Sequence, residues 1–261
     1  AVVKRIGPRE EYRTLGAFIS SSGSFNTQVK VLTRKTRDWV YKIKYSALSE
    51  CDKLLAYNAF LLPQVLYTTP CLQLDHATLQ RIHRPAQEIA LNAMGMNRSY
   101  PRAVAYAGAE YFGLDLKDYS ASQGLAQLEM YVGHCRCQDR TGRLMMIKRD
   151  YVELLIGRGK CPLEYPEESK VDYVDHCWII SFARFLWRCG GSIKTKTDRV
   201  VTQQRSDDVF LMNYTNDLSV ADRKRIQQCR LYLRAATLAD VCTIGGDRVE
   251  RKVLEGELKR E

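Results

Sequence analysis

Residues 63–102 read PQVLYTTPCLQLDHATLQRIHRPAQEIALNAMGMNRSYPR, and their patterning decides the fold class. The first part belongs to an uncharged helical segment carrying Leu62-Pro63-x-x-x-Tyr67. The second part repeats Leu and Ile at helical spacing from Asp75 to about Met94. Asp75 suits an N-cap, and Gly95 suits the left-handed residue that closes a helix. Pro85 lies inside the pattern and is expected to kink the helix or split it in two. A basic loop, Asn97-Arg98-Ser99-Tyr100-Pro101-Arg102, follows. Helices of this kind, joined by short loops, place the chain in the mainly α class.

Upstream, Ser49 with Asp52 three residues on matches a capping box. Before it, Val29, Leu32, Thr36, Trp39, Val40 and Ile43 fall on one arc at about 100° per residue, which predicts a helix from near residue 24 to Lys44. Residues 2–20 look extended: Val2, Val3 and Ile6 precede a Gly7-Pro8 turn, and residues 12–19 form a second candidate strand ended by Ser20-Ser21-Ser22-Gly23. The expected architecture is a helical bundle with a small N-terminal β-hairpin.

Downstream, helices are expected at 118–137 and 141–156, the latter stopped by Gly157-Arg158-Gly159. Residues 161–170, with Pro162, Pro166 and three glutamates, read as a linker. Residues 173–189 are apolar almost all round, hence a buried helix ended by Gly190-Gly191. Short strands are expected at 193–196 and 200–201, and Ser219 with Asp222 caps a helix to about Ala236. The organisation predicted is a β element (1–23), a helical domain (24–160), a second helical subdomain (171–244) and a charged tail (245–261). Ala1 in first position, where Met would stand, is expected of a fragment or a processed chain.

The 261 residues are 45% hydrophobic, enough for a real core. The longest uncharged stretch, 54–74, is interrupted by Asn58, Pro63, Gln64, Pro70 and Gln73, too polar for a lipid-facing span. No membrane partner is expected. Nine cysteines without a secretory signal read as reduced thiols in an intracellular protein of the nucleus or cytoplasm, and as mostly buried. The net charge of +10 and pI of about 9.2 favour an anionic partner, nucleic acid first.

The strongest binding signal is the helix before Lys44. Lys30, Arg34, Arg37 and Lys44 cluster opposite its apolar arc, with Tyr41 among them and Lys35 and Lys42 beside them. Six cations stand against Asp38 alone, more skewed than a merely solvated face requires. Such a face neutralises backbone phosphates while Tyr41 packs on sugar or base. Arg98 and Arg102 either hold phosphates or cap the carbonyls of the Met94 turn. Arg223, Arg230 and Arg234 share one side of the last helix, opposite Ile226, Cys229 and Leu233, which suits phosphate contact or a solvated, acid-paired face equally.

Catalytic constellations are absent from the sequence. No phosphate-cradling Gly-rich loop, Ser nucleophile elbow or His-Glu-x-x-His occurs. His134, Cys135 and Cys137 lack a Cys-x-x-Cys spacing, so no metal site is expected. His76 and His83 read as ordinary polar residues. Asp207-Asp208, the one Asp-Asp pair, lacks flanking strand patterns and reads as a helix N-terminus.

The order of these elements resembles the part of a non-LTR-type retrotransposon reverse transcriptase that follows its catalytic strands. Tyr12, Leu15 and Gly16 match the family's Tyr-x-x-Leu-Gly primer-grip turn. Trp39 with Arg37 and Lys42 stands for its Arg-x-x-Trp helix, with Thr36 where the arginine would be. Tyr57, Pro63 and Tyr67 match the Pro/Tyr helix, and residues 74–94 the leucine-patterned helix, ending in Gly95, Asn97 and Arg98. Phe112-Gly113-Leu114, Gln123-Gly124, residues 229–233 and Leu238-Ala239-Asp240 continue the likeness, which spans roughly 12–240. The resemblance implies a primer grip and thumb that hold an RNA–DNA or primer–template duplex by its backbone. It implies partnership with the polymerase palm and fingers, which this chain lacks together with their catalytic aspartates. No cofactor is then expected in this chain, because Mg²⁺ belongs to the palm. The alternatives are a non-enzymatic helical protein-interaction scaffold and a host nucleic-acid-binding module.

Overall fold

The structure is a computed structural model that describes residues 7, 10–165, 171–194, 208–243 and 247–254. It is mainly helical with a small antiparallel hairpin, as the sequence patterning predicts. Its contacts divide the chain into two compact units, Ala1–Met130 and Tyr131–Glu261. The division therefore falls inside a helix rather than at 161–170.

In the first unit, strands β1 (Tyr12–Thr14) and β2 (Ala17–Ile19) pair with Tyr12 opposite Ile19 and Thr14 opposite Ala17. The expected single strand over 12–19 is thus folded back on itself. Leu15 (φ 48°) and Gly16 (φ 89°) both take positive φ, the two-residue turn whose twist matches a hairpin. Val2, Val3 and Ile6 lie outside the described residues.

Helix α1 (Asn26–Lys44) follows. It buries Gln28, Leu32, Thr36 and Ile43, one row at steps of four, four and seven residues, with Val29, Trp39 and Val40 packed beside them. Full burial of Leu32 alone contributes about 2 kcal/mol. Phe25 caps nothing, yet the first turn is not bare: Glu11, just before β1, accepts from the Thr27 amide and the Ser24 hydroxyl, each at 3.0 Å. Gln28 completes the docking, accepting from the Phe18 amide (2.9 Å) and donating to Thr68 Oγ1 (3.1 Å). The hairpin, too small to stand alone, is held on α1 by these bonds.

Ser49 caps α2 (Glu50–Ala56) by accepting from the Asp52 amide. A π-helical turn, Tyr57–Leu61, then joins it to α3 (Leu62–Leu66). Pro63 has no N–H and would clash with the carbonyl four residues back, and the wider turn absorbs both demands. Asp75 caps α4 (His76–Ala93) through the Thr78 amide at 2.7 Å. Pro85 sits on its exposed side and leaves it a single helix. Gly95 (φ 75°) closes it, with the Met96 amide reaching back to the Leu91 carbonyl. A short α5 (Arg102–Tyr106) leads to α6 (Tyr119–Cys137), whose first amides are accepted by Asp118.

In the second unit, Asp139 caps α7 (Arg140–Ile156), and Gly157 (φ 65°) ends it. Residues 161–165 are no exposed linker: Leu163 is fully buried, and the Pro162 carbonyl accepts from Trp187 Nε1 at 2.9 Å. The apolar helix begins late, as α8 (Trp178–Arg188). Tyr173 instead lies in a turn, where its hydroxyl donates to the Ile156 carbonyl at 2.7 Å. Helix α9 (Val220–Tyr232), capped by Ser219, stops short of the expected Ala236, because Arg234 turns to φ 51°. A short α10 (Arg251–Leu254) lies in the expected tail. The strand expected at 200–201 and most of that at 193–196 lie outside the described residues, whereas Phe210 bridges Thr237.

Among the described residues no helix is long and apolar enough to cross a membrane. The nine cysteines are free, but their expected burial is corrected: Cys161 alone is buried, and Cys51, Cys71, Cys137, Cys189 and Cys229 are exposed. Burial pushes the Cys161 thiol up to about 11.

Candidate nucleic-acid interface

The outer face of α1 carries the cations that its inner face excludes. Lys30, Arg34, Arg37, Lys42 and Lys44 are exposed, and Lys35 is half-buried. None of the six is paired with a carboxylate among the described residues. Tyr41 is exposed and lies against Tyr45, ring centroids 5.1 Å apart, with Lys44 Nζ 5.7 Å from the Tyr45 centroid. Tyr45 was not among the residues anticipated, although its i+4 spacing from Tyr41 was a usable signal. From Lys30 to Lys44 the row runs about 21 Å along the axis. It is rigid because the opposite side of the same helix is locked in the core.

The hairpin adds an apolar tip. Leu15 is 85% exposed, and Tyr12 projects from β1 into solvent. Gly16 lies against Tyr67, and a Cβ added there would come 3.6 Å from that ring. The turn residue Gly16 and the exposed Tyr67 are thereby brought together, whereas Tyr12 lies at the open end of the hairpin, opposite Ile19. Gln28 and Glu11, which position this tip over α1, carry no sequence signal, since a buried Gln and a remote capping carboxylate leave no periodic trace.

Arg98 is exposed in a loop tightened by Asn97, whose side-chain oxygen accepts from the Ser99 amide and hydroxyl. Half-buried Arg102 donates to the Arg98 carbonyl at 3.0 Å, and neither arginine caps the Met94 turn.

The last helix is the clearest correction. The arginine side of α9 faces inward. Arg230 is 3% exposed, and its Nη2 donates to the Leu154 and Leu155 carbonyls, each at 2.6 Å. Buried Arg223 pairs with Asp172 at 2.9 Å and stands over the Tyr173 ring, as does Arg158. Cys229, expected on the apolar side, is exposed, and of the three arginines only Arg234 reaches solvent. The cause is the C-terminus of α7. Its last carbonyls are part-buried and lack partners within their own helix, and a guanidinium supplies several donors at a negative helix end. Arg223 and Arg230 are therefore structural groups in the second unit, not surface cations.

His83, read as an ordinary polar residue, is fully buried on the inner side of α4. Its Nε2 lies 2.8 Å from the Tyr57 hydroxyl, and its ring stacks on Tyr119 at 4.0 Å. Burial first, and the Arg102 charge second, push its pKa down to about 3. The same burial holds the Tyr57 and Tyr119 hydroxyls well above the usual phenol range.

Among the described residues no group of three or more His, Cys, Asp or Glu side chains converges as a metal site would require. His134 is paired with Asp139 at 2.6 Å. Asp208 is buried, where it accepts from the Ala239 amide at 3.0 Å, while Asp207 lies outside the described residues. The chain matches no family model, no curated protein and no solved structure.

Proposed function

We propose that the first unit grips a nucleic-acid duplex by its backbone, as the primer grip and thumb of a non-LTR-type reverse transcriptase would. What supports this is the row of cations on α1, without a carboxylate partner among the described residues, set on a core-anchored helix with Tyr41 and Tyr45 in line. Phosphates along one strand meet Lys30, Arg34, Arg37 and Lys44, and the paired rings supply a flat surface for sugar or base. The exposed hairpin, with Leu15 at its turn, Tyr67 beside the turn and Tyr12 at the start of β1, supplies apolar contact to a strand end. The chemistry of polymerisation would belong to a palm with its own Mg²⁺, and this chain would contribute grip without catalysis. Nine free thiols fit a reducing, intracellular setting.

The test is binding of the purified chain to a labelled RNA–DNA duplex across a salt series. Tight binding with a steep negative dependence of log K on log salt is expected. Replacing Lys30, Arg34, Arg37 and Lys44 together by Gln removes four contacts and should flatten that slope by about 3.6, at about 0.9 per phosphate. Equal slopes for the two proteins would overturn the assignment, and no duplex binding by the well-folded chain would favour a protein-interaction scaffold.

A further inference from the structure

A second concentration of cations lies elsewhere on the first unit. Gln80, Arg81, Arg84, Pro85 and Gln87 of α4, with Arg102 at the start of α5, line an open cleft of about 500 Å³. Three guanidiniums converge on this one volume. The carboxylate nearest in sequence is Glu88, which pairs with exposed Arg84 at 3.4 Å. Asp118, which accepts from Gln80 Nε2 at 2.8 Å, is occupied with the first amides of α6. Arg81 has no ion pair among the described residues. Arg102 spends Nη2 on the Arg98 carbonyl, while its Nη1 is buried without a hydrogen-bond partner.

The wall behind is built and rigid. Gln87 is almost fully buried and donates to the Tyr106 hydroxyl at 2.7 Å. His83, deeper still, is neutral at physiological pH, so the positive field comes from the arginines. Like charges gathered on a concave surface repel one another, and a cleft of one sign concentrates the opposite ion. Guanidiniums also present paired donors that match phosphate oxygens. Arg84 is offset by Glu88, and Asp118 behind Gln80 keeps its charge, so an excess of about one positive charge remains, while three guanidiniums present their donors to one compact volume. A backbone phosphodiester carries one negative charge and recurs along a track, whereas a terminal phosphate or pyrophosphate carries two or more at one point.

We propose that this cleft is a binding site for a compact phosphate dianion, a phosphomonoester or pyrophosphate group, held by Arg81, Arg84 and Arg102. The site is separate from the α1 row and does not depend on the duplex reading.

Titration calorimetry on the whole chain at fixed ionic strength tests it, with pyrophosphate as one ligand and a short oligonucleotide, 5′-phosphorylated or 5′-hydroxyl, as the other. Saturable one-to-one binding is expected. A gain for the 5′-phosphorylated strand over its 5′-hydroxyl twin assigns the site to a strand end. Binding of pyrophosphate without that gain assigns it to a free phosphate. Arg81 and Arg84 are exposed, so R81Q/R84Q should keep the wild-type unfolding midpoint while weakening the bound ligand at least 10-fold. The variant lacking the four α1 cations should bind the phosphate as wild type does, which separates this site from failure or success of the duplex grip. Absence of saturable binding by either ligand, or wild-type affinity in R81Q/R84Q, would overturn the proposal.

Discussion

Replacing His83 by Gln should remove a specific part of the acid sensitivity of this fold. His83 is enclosed by Tyr57, Tyr106 and Tyr119, and its pKa falls from the ordinary 6.5 to about 3. The native state therefore keeps the ring neutral over a range in which the unfolded chain takes up a proton. Stability from this group is fully present above pH 6.5 and is lost as pH falls toward 3, with a slope of up to about 1.4 kcal/mol per pH unit. Between pH 7 and pH 5 the loss comes to about 2 kcal/mol, and at the acid limit to about 5 kcal/mol. Urea unfolding at pH 7, 6 and 5 measures it. Glutamine still offers an oxygen to the Tyr57 hydroxyl, so the variant should fold, less stable at pH 7 through lost stacking. Its change from pH 7 to pH 5 should be smaller than that of the wild type by about 2 kcal/mol. Groups that titrate elsewhere affect both proteins alike and cancel in the difference. The ring resonances of His83 should also stay fixed from pH 7.5 to pH 5. Parallel pH dependences, or ring signals that titrate near 6.5, would refute the reasoning.

Three further substitutions probe what the periodic pattern did not reveal. Gln28→Met keeps the volume but strands the Phe18 amide and Thr68 Oγ1, and should cost about 2–4 kcal/mol, with faster hydrogen exchange at Phe18 as the local readout. Unchanged exchange there would mean the hairpin is held by other contacts. Arg230→Met leaves the Leu154 and Leu155 carbonyls without their donor and should destabilise by about 2–4 kcal/mol in denaturant unfolding. Exposed Arg234→Ala should stay within about 0.5 kcal/mol of wild type, and equal effects of the two would contradict the inward orientation of α9.

Several helix ends were legible in the sequence. Asp75, Asp118, Asp139, Ser49 and Ser219 satisfy the first amides of the helix each precedes, and Gly95 and Gly157 supply positive φ at helix ends. These are short-range matters of a few residues, so they can be read locally. The inner row of α1 was legible for a related reason: Leu32, Thr36 and Ile43 repeat at helical period, which leaves the cations one side to occupy. Tertiary structure decided the rest. Which side of α9 is buried depended on the carbonyls of α7, about 75 residues away in the chain, which made an arginine the better interior group. The enclosure of His83 depended on tyrosines from three other elements. The cleft of Arg81, Arg84 and Arg102 required α5 to return beside α4. In each case a polar side chain is placed by a partner remote in sequence, and no local pattern records which donors a distant helix end will lack or which charges a turn will bring together.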